Sequence, residues 1–234
     1  MGTSTKSAQG QTTLQKLLLA CGIIGSLLFI VLFLVQGATR AGYSALRHPI
    51  SSLSIGPMGW VQSANFIITG LLILAFAVGL RSVLRHPKGS LWGPLLIGIV
   101  GIGLIGAGFF TTDPLAGYPP GTPLLQTERT LAGRLHDLFS LPVFLALPAA
   151  CFVFMRYFAR RRNPRWSVYS FLSGLGMLAA FVLAGMGFQQ TPGFAETAGL
   201  YQRLSIGIGW VWMALLALHF LRNPSGQTGR RQFA

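Results

Sequence analysis

Residues 17–35 read LLLACGIIGSLLFIVLFLV, an uncharged run directly after Lys16. At about 1.5 Å per residue, a helix over this stretch is about 28 Å long. That matches the roughly 30 Å hydrocarbon core of a bilayer. A secretory signal has an apolar region of only about 7–15 residues. The run is therefore expected to be a retained first membrane helix.

Five further stretches have the same character, at approximately 60–80, 91–110, 138–156, 167–188 and 204–221. Charged residues fall only at their ends. Lipid offers no hydrogen-bond partner to the backbone, so spans of this kind must be helical. Composition agrees, with 52% hydrophobic and 9% charged residues, where a soluble domain carries about 25% charged. The expected fold is all-α, a polytopic membrane bundle of six transmembrane helices. Residues 1–12 read as a disordered cytoplasmic N-terminus, 13–222 as the transmembrane domain, and 223–234 as a basic cytoplasmic tail.

The chain carries 18 Lys and Arg against 4 Asp and Glu, a formal net charge of +14. No nucleic-acid-binding motif accompanies this charge, so nucleic acid is not expected as a partner. The distribution points to the membrane instead. The two ends of the chain and the loops near 81–90 and 157–166 share one side and hold 13 of the 18 cations. Basic residues favour the cytoplasmic side and its anionic lipid. Both termini are therefore expected in the cytoplasm of a cell-membrane protein, with anionic lipid against that face.

All four acidic residues, Asp113, Glu128, Asp137 and Glu196, fall on the opposite side. The loops there, 37–59, 111–137 and 189–203, are long and contain Tyr43, Ile55, Met58, Leu124 and Tyr201. Such loops are usually functional or disordered, and apolar side chains favour packing. An ordered extracytoplasmic loop cap is expected. The glycine-rich third and fifth helices are expected at the centre of the bundle, because small residues let backbones approach in lipid. In the fourth helix, Pro142 is expected in the first turn, and Pro148, mid-helix, should produce a kink.

Candidate functional residues follow from depth. Asp113 closes the third helix, and Gly133-Arg134-Leu135-His136-Asp137 opens the fourth. A carboxylate beside an imidazole supplies the groups for acid–base chemistry, with Asp113, His136 and Asp137 as catalytic candidates. Asn65, Ser52 and Arg203 are ligand-binding candidates near the same face. His48, Asp113 and His136 are the candidate metal ligands, with zinc as the metal. Zinc accepts carboxylates as well as imidazoles. Alkaline-ceramidase-like hydrolases use three histidines and an aspartate, a pattern that is incomplete here. Asp113, His136, Asp137 and Arg203 are expected to converge under the cap, with Asn65 and residues 51–54 nearby.

Several short pieces occur in a suggestive order: Ser51-Ser52-Leu53-Ser54-Ile55-Gly56-Pro57, Asn65-Phe66, Phe109-Phe110-x-x-Asp113, Gly133-x-x-His136 and Gln202-Arg203. In order and membrane depth they resemble the uncharacterised membrane family catalogued as domain of unknown function 998, over roughly 17–221. The resemblance implies a six-helix membrane protein and lends no activity. Three functions are consistent with the residues. The first is binding or organising a lipid or a partner through an outward-facing polar site. The second is a membrane-embedded hydrolase with a metal or acid–base centre, and the third a small-molecule transporter. Transport is least favoured, since the spans lack an ionisable residue near mid-depth.

Overall fold

A computed structural model describes residues 11–84, 91–126 and 128–223. It contains six long helices: α1 (Thr13–Thr39), α2 (Gly59–Val83), α3 (Trp92–Phe109), α4 (Leu131–Arg160), α5 (Pro164–Phe188) and α6 (Ala198–Arg222). All six are long and apolar enough to cross a membrane. Each helix packs against its neighbours in sequence, and α6 closes the ring against α1. The Gln11 amide donates to the Phe220 carbonyl at 2.8 Å, so the start of α1 lies beside the end of α6. That face is the terminal end of the bundle. The opposite face, with the three long loops, is the loop end. Lys6, Arg85, Lys88, Arg230, Arg231 and the proposed N- and C-terminal tails lie largely or wholly outside the described residues.

Local chemistry sets the helix boundaries. Thr12 caps α1 in a reciprocal pairing with Gln15, an arrangement that satisfies donors left open at a helix start. Asn163 caps α5, whose first residue is Pro164. There the missing N–H is no loss. Thr130 caps α4 by accepting from the Gly133 N–H at 2.9 Å.

That cap corrects the sequence reading of α4. The helix starts at Leu131, well before position 138, so His136 and Asp137 lie inside it. Pro142 is correspondingly interior and not in the first turn, and α4 runs as one helix through Pro142 and Pro148. The charged stretch 134–137 resembles a loop by composition. Tertiary partners keep it helical.

The glycine reading holds for α3 and fails for α5. In α3, a Cβ on Gly101 would lie 2.9 Å from the Gly70 carbonyl of α2, and one on Gly103 2.6 Å from the Phe139 carbonyl of α4. These are backbone approaches that only glycine permits, and they place α3 in close packing on both sides. In α5, Gly174 and Gly187 do pack closely, against Cys151 and the Phe194 carbonyl, but Gly185 faces open space and Val168, Leu172, Leu175 and Val182 are exposed. Only 33% of the apolar window of α5 is buried, against 56% for α3 and 50% for α6. α5 is thus peripheral, and the second central helix is α6, which buries Trp210, Trp212 and Met213.

Candidate functional site

Three polar assemblies occupy the loop end. The first ties α3 to α4. Asp113 follows the end of α3 and is 5% exposed. Its carboxylate accepts from the Thr130 N–H at 3.0 Å and the Thr130 hydroxyl at 2.6 Å. The same carboxylate fills the space a Cβ on Gly133 would need, with Oδ1 at 2.8 Å. A negative group over the first turn of α4 complements the helix dipole. His136 completes the junction from the other direction. Its Nδ1 lies 2.9 Å from the Ala107 carbonyl and 2.8 Å from the Phe110 carbonyl, at the C-terminus of α3. Carbonyls only accept, so Nδ1 carries the proton. Each helix therefore closes the open end of the other.

The second assembly docks the first long loop onto α6. Arg203 donates to the His48 carbonyl and the Gly199 carbonyl, both at 3.0 Å, and to the Tyr43 hydroxyl. Gln202 accepts the Ile50 N–H at 2.8 Å, and the Leu200 N–H donates to the Leu46 carbonyl at 2.9 Å. Gly199 permits this contact, because a Cβ there would sit 2.5 Å from the His48 carbonyl. Arg47 pairs with Glu196 at 3.3 Å across the same seam. Tyr118 of the second long loop packs on both Tyr43 and His48. The three loops therefore form one ordered cap.

His48 is buried in that cap. Its Nδ1 accepts the Ser44 N–H at 2.9 Å, and the ring is also bonded to the Ala116 backbone. Burial, reinforced by the neighbouring Arg47 charge, pushes its pKa below the ordinary 6.5. The unfolded chain consequently binds more protons than the folded one between the folded pKa and about 6.5, so stability rises with pH across that window. Acidification from pH 7 to pH 5 is expected to loosen the cap, because protonated Nδ1 can no longer accept from Ser44. The hydrogen-exchange protection factors of residues 43–50, corrected for the pH dependence of intrinsic exchange, should fall in the wild type and change less in a His48→Gln variant. An equal loss of protection in both would rule out His48 as the cause.

The third assembly is a buried amide ladder between α1 and α2. The Gln36 amide donates to Gln62 Oε1 at 2.9 Å, Asn65 donates to the Phe29 carbonyl at 3.3 Å, and Thr69 donates to Asn65 at 3.3 Å. These groups join helices where lipid offers no partner. Ser52 is fully buried in the short 3-10 turn Ile50–Ser54, and its hydroxyl has no partner among the described residues.

Beneath the cap lies a cavity of about 280 Å³. Its deep wall is apolar and buried, formed by Phe29, Phe66, Leu104, Ala107 and Ile206. Its upper rim is polar, with Ser51, Thr112, Gln126, Arg129, His136, Asp137, Ser140 and Gln202. Arg129 pairs with Asp137 and donates to Gln126 at 3.1 Å. Arg129 and Leu141 are exposed, and Phe144, Phe181 and Phe188 are half-buried. The cavity therefore opens at the loop end, both beside Arg129 and between α4 and α5. Below the latter opening, Phe144 and Phe181 stack at 4.6 Å and close the gap.

Of the sequence candidates, His136 and Asp137 line this cavity, and Asp113 adjoins it through the α3–α4 junction. Arg203, His48, Asn65 and Ser52 do not line it; the first three are bonded within the cap or the ladder, and Ser52 is buried in its 3-10 turn. His48 and His136 have separate partners, and among the described residues no three His, Cys, Asp or Glu side chains are grouped to hold a metal. Arg134 donates to the Arg129 carbonyl at 3.3 Å. Sequence reasoning missed Arg129, Ser140 and Gln202. Ser140 was legible as one helical turn beyond His136 on the same face. Nothing in the sequence placed Arg129 or Gln202 in a cavity.

A family model described as Protein of unknown function (DUF998) matches residues 23–219. The chain belongs to this family. The match starts within α1 and ends within α6, so it takes in all three assemblies and the cavity. No curated protein and no solved structure matches the chain. All five sequence pieces quoted above have physical roles in this DUF998 chain. Asp113 with Gly133 and His136 form the helix junction, Asn65 sits in the amide ladder, Ser51–Pro57 shapes the cap, and Gln202-Arg203 holds the cap down.

Proposed function

We propose that this membrane protein binds an amphiphile drawn sideways from the bilayer, with its head at the polar rim of the cavity and its tail leaving between α4 and α5. One observation carries the reading: a single cavity is apolar at depth, polar at its rim and accessible where two membrane helices part. Ligand sites of this kind are mostly apolar, with a few placed polar groups, and span about 300–1,000 Å³. A cavity near the lower bound suits a headgroup and the start of a chain.

Leu141 supplies the test. It is 44% exposed at the opening between α4 and α5 and holds no polar contact, so Leu141→Trp should fold normally and obstruct access from the bilayer. A diazirine-bearing lipid probe should label the α4 and α5 residues around Phe144 and Phe181 in the wild type and do so about tenfold less in the variant. Undiminished labelling, or labelling spread evenly over exposed residues of α1, would refute the reading.

A hydrolytic reading has one observation in its favour. His136 is oriented through Nδ1, as a general base must be, and Ser140 lies one turn along the same face. Release of fatty acid from a bound ester, lost in Ser140→Ala, would establish it.

The orientation belongs to the same proposal. Arg156, Arg160, Arg162 and Arg165 are exposed at the terminal end, and all four acidic residues are at the loop end. We place the terminal end against the anionic cytoplasmic leaflet of the cell membrane. An impermeant maleimide should then label intact cells through a cysteine at position 120 but not at position 162.

A further inference from the structure

The polar rim restricts what the occupant's headgroup can be. His136 Nδ1 is committed as a donor to the Ala107 and Phe110 carbonyls. With Nδ1 so committed, Nε2 of the neutral tautomer is the ring atom that can accept a hydrogen bond. Gln202 is committed the other way. Its Oε1 accepts the Ile50 N–H at 2.8 Å, which fixes the amide orientation and leaves Nε2 as a donor. Both residues line the cavity. Ser51 and Ser140 add hydroxyls that can serve in either sense.

Charge at the rim is balanced. Arg129 and Asp137 pair with each other, and Gln126 takes a further Arg129 N–H. An anionic head would meet Asp137 and a cationic head Arg129. Either would compete with the existing pair for its counter-charge, and the rim offers no net charge to favour one sign. An ester or ketone only accepts hydrogen bonds, so it would satisfy Gln202 and leave the His136 acceptor unpaired. A hydroxyl donates and accepts at once.

Resting on the amphiphile reading above, we infer that the occupant is a neutral lipid with a hydroxyl headgroup, a membrane alcohol, held between the fixed acceptor of His136 and the fixed donor of Gln202. Its chain runs down the aromatic wall toward Phe144 and Phe181 and into the lipid.

Four probes with the same 18-carbon tail test this: oleyl alcohol, methyl oleate, oleate and oleylamine. Each competes against a diazirine lipid probe on the full-length protein in detergent. The alcohol should compete about tenfold better than the methyl ester, the effect of one unmade hydrogen bond. Oleate and oleylamine should do no better than the ester. Gln202→Glu keeps an acceptor for the Ile50 N–H and removes the donor, so it should weaken the alcohol at least tenfold while residues 41–58 stay protease-resistant. If that variant misfolds, the wild-type ranking decides alone. Equal competition by the methyl ester would overturn the inference, as would preference for oleate or oleylamine. Labelling at Phe144 and Phe181 that none of the four displaces would overturn the alcohol class and leave the cavity reading intact. Absence of labelling there would remove both.

Discussion

Gly133→Ala is expected to destabilise the protein by about 3 kcal/mol. A methyl in a filled space typically costs about 1–3 kcal/mol, and displacing Asp113 also strips the capping Thr130 of its hydrogen-bond partner, about 1 kcal/mol. The methyl would occupy the position of the Asp113 carboxylate. Asp113 cannot move without giving up both bonds to Thr130. The decisive experiment is the double mutant. Asp113→Ala alone should cost about 2 kcal/mol, since it strips the Thr130 partners at a buried site. In that background the alanine at 133 meets no carboxylate, and alanine is favoured over glycine in a helix by about 1 kcal/mol. Gly133→Ala should therefore be neutral or stabilising once Asp113 is gone. Additive losses, measured by thermal unfolding in detergent, would show that the two residues do not meet.

The second large effect is expected at Arg203. Its guanidinium reaches two carbonyls and the Tyr43 hydroxyl, and lies over the rings of Tyr43 and Phe33. Hydrogen bonds from a charged group contribute about 1.5–3 kcal/mol each, with strong sharing among them. Arg203→Ala is expected to cost about 3 kcal/mol and to expose residues 41–58 to protease. Arg203→Lys should recover only part of this, because a point charge cannot serve partners spread across a planar fork. A loss below about 0.5 kcal/mol, the range of an ordinary surface change, would mean that the cap is held by Gln202 and the loop backbone instead.

Both predictions treat as architecture residues that composition alone suggests for chemistry. Asp113 and His136 have the identities of an acid–base pair, and the sequence places them at one depth. It does not say which atoms they face. In the structure Asp113 spends its carboxylate on the start of α4 and His136 spends Nδ1 on the end of α3. Only His136 retains an atom for a ligand. Arg203 likewise serves the cap, while its neighbour Gln202 lines the cavity. One step along a helix turns a side chain by about 100°, and a reading by depth cannot register that turn.

The sequence by itself determined the six spans and their order, because each depends on a local property: about 20 apolar residues in a row with charges confined to the ends. It also marked the close approach of α3, since glycines such as Gly101 and Gly103 are recognisable one residue at a time. What only the tertiary structure decided were relations between distant segments: that α6 and not α5 takes the second central place, that residues 131–137 are helical because Thr130 and Asp113 cap them, and that Ser51, Gln126, His136 and Gln202 face one cavity. Those positions come from four separate loops and helices, and the rotation of each helix about its axis is fixed by packing against its neighbours. No pattern within a single stretch carries that information.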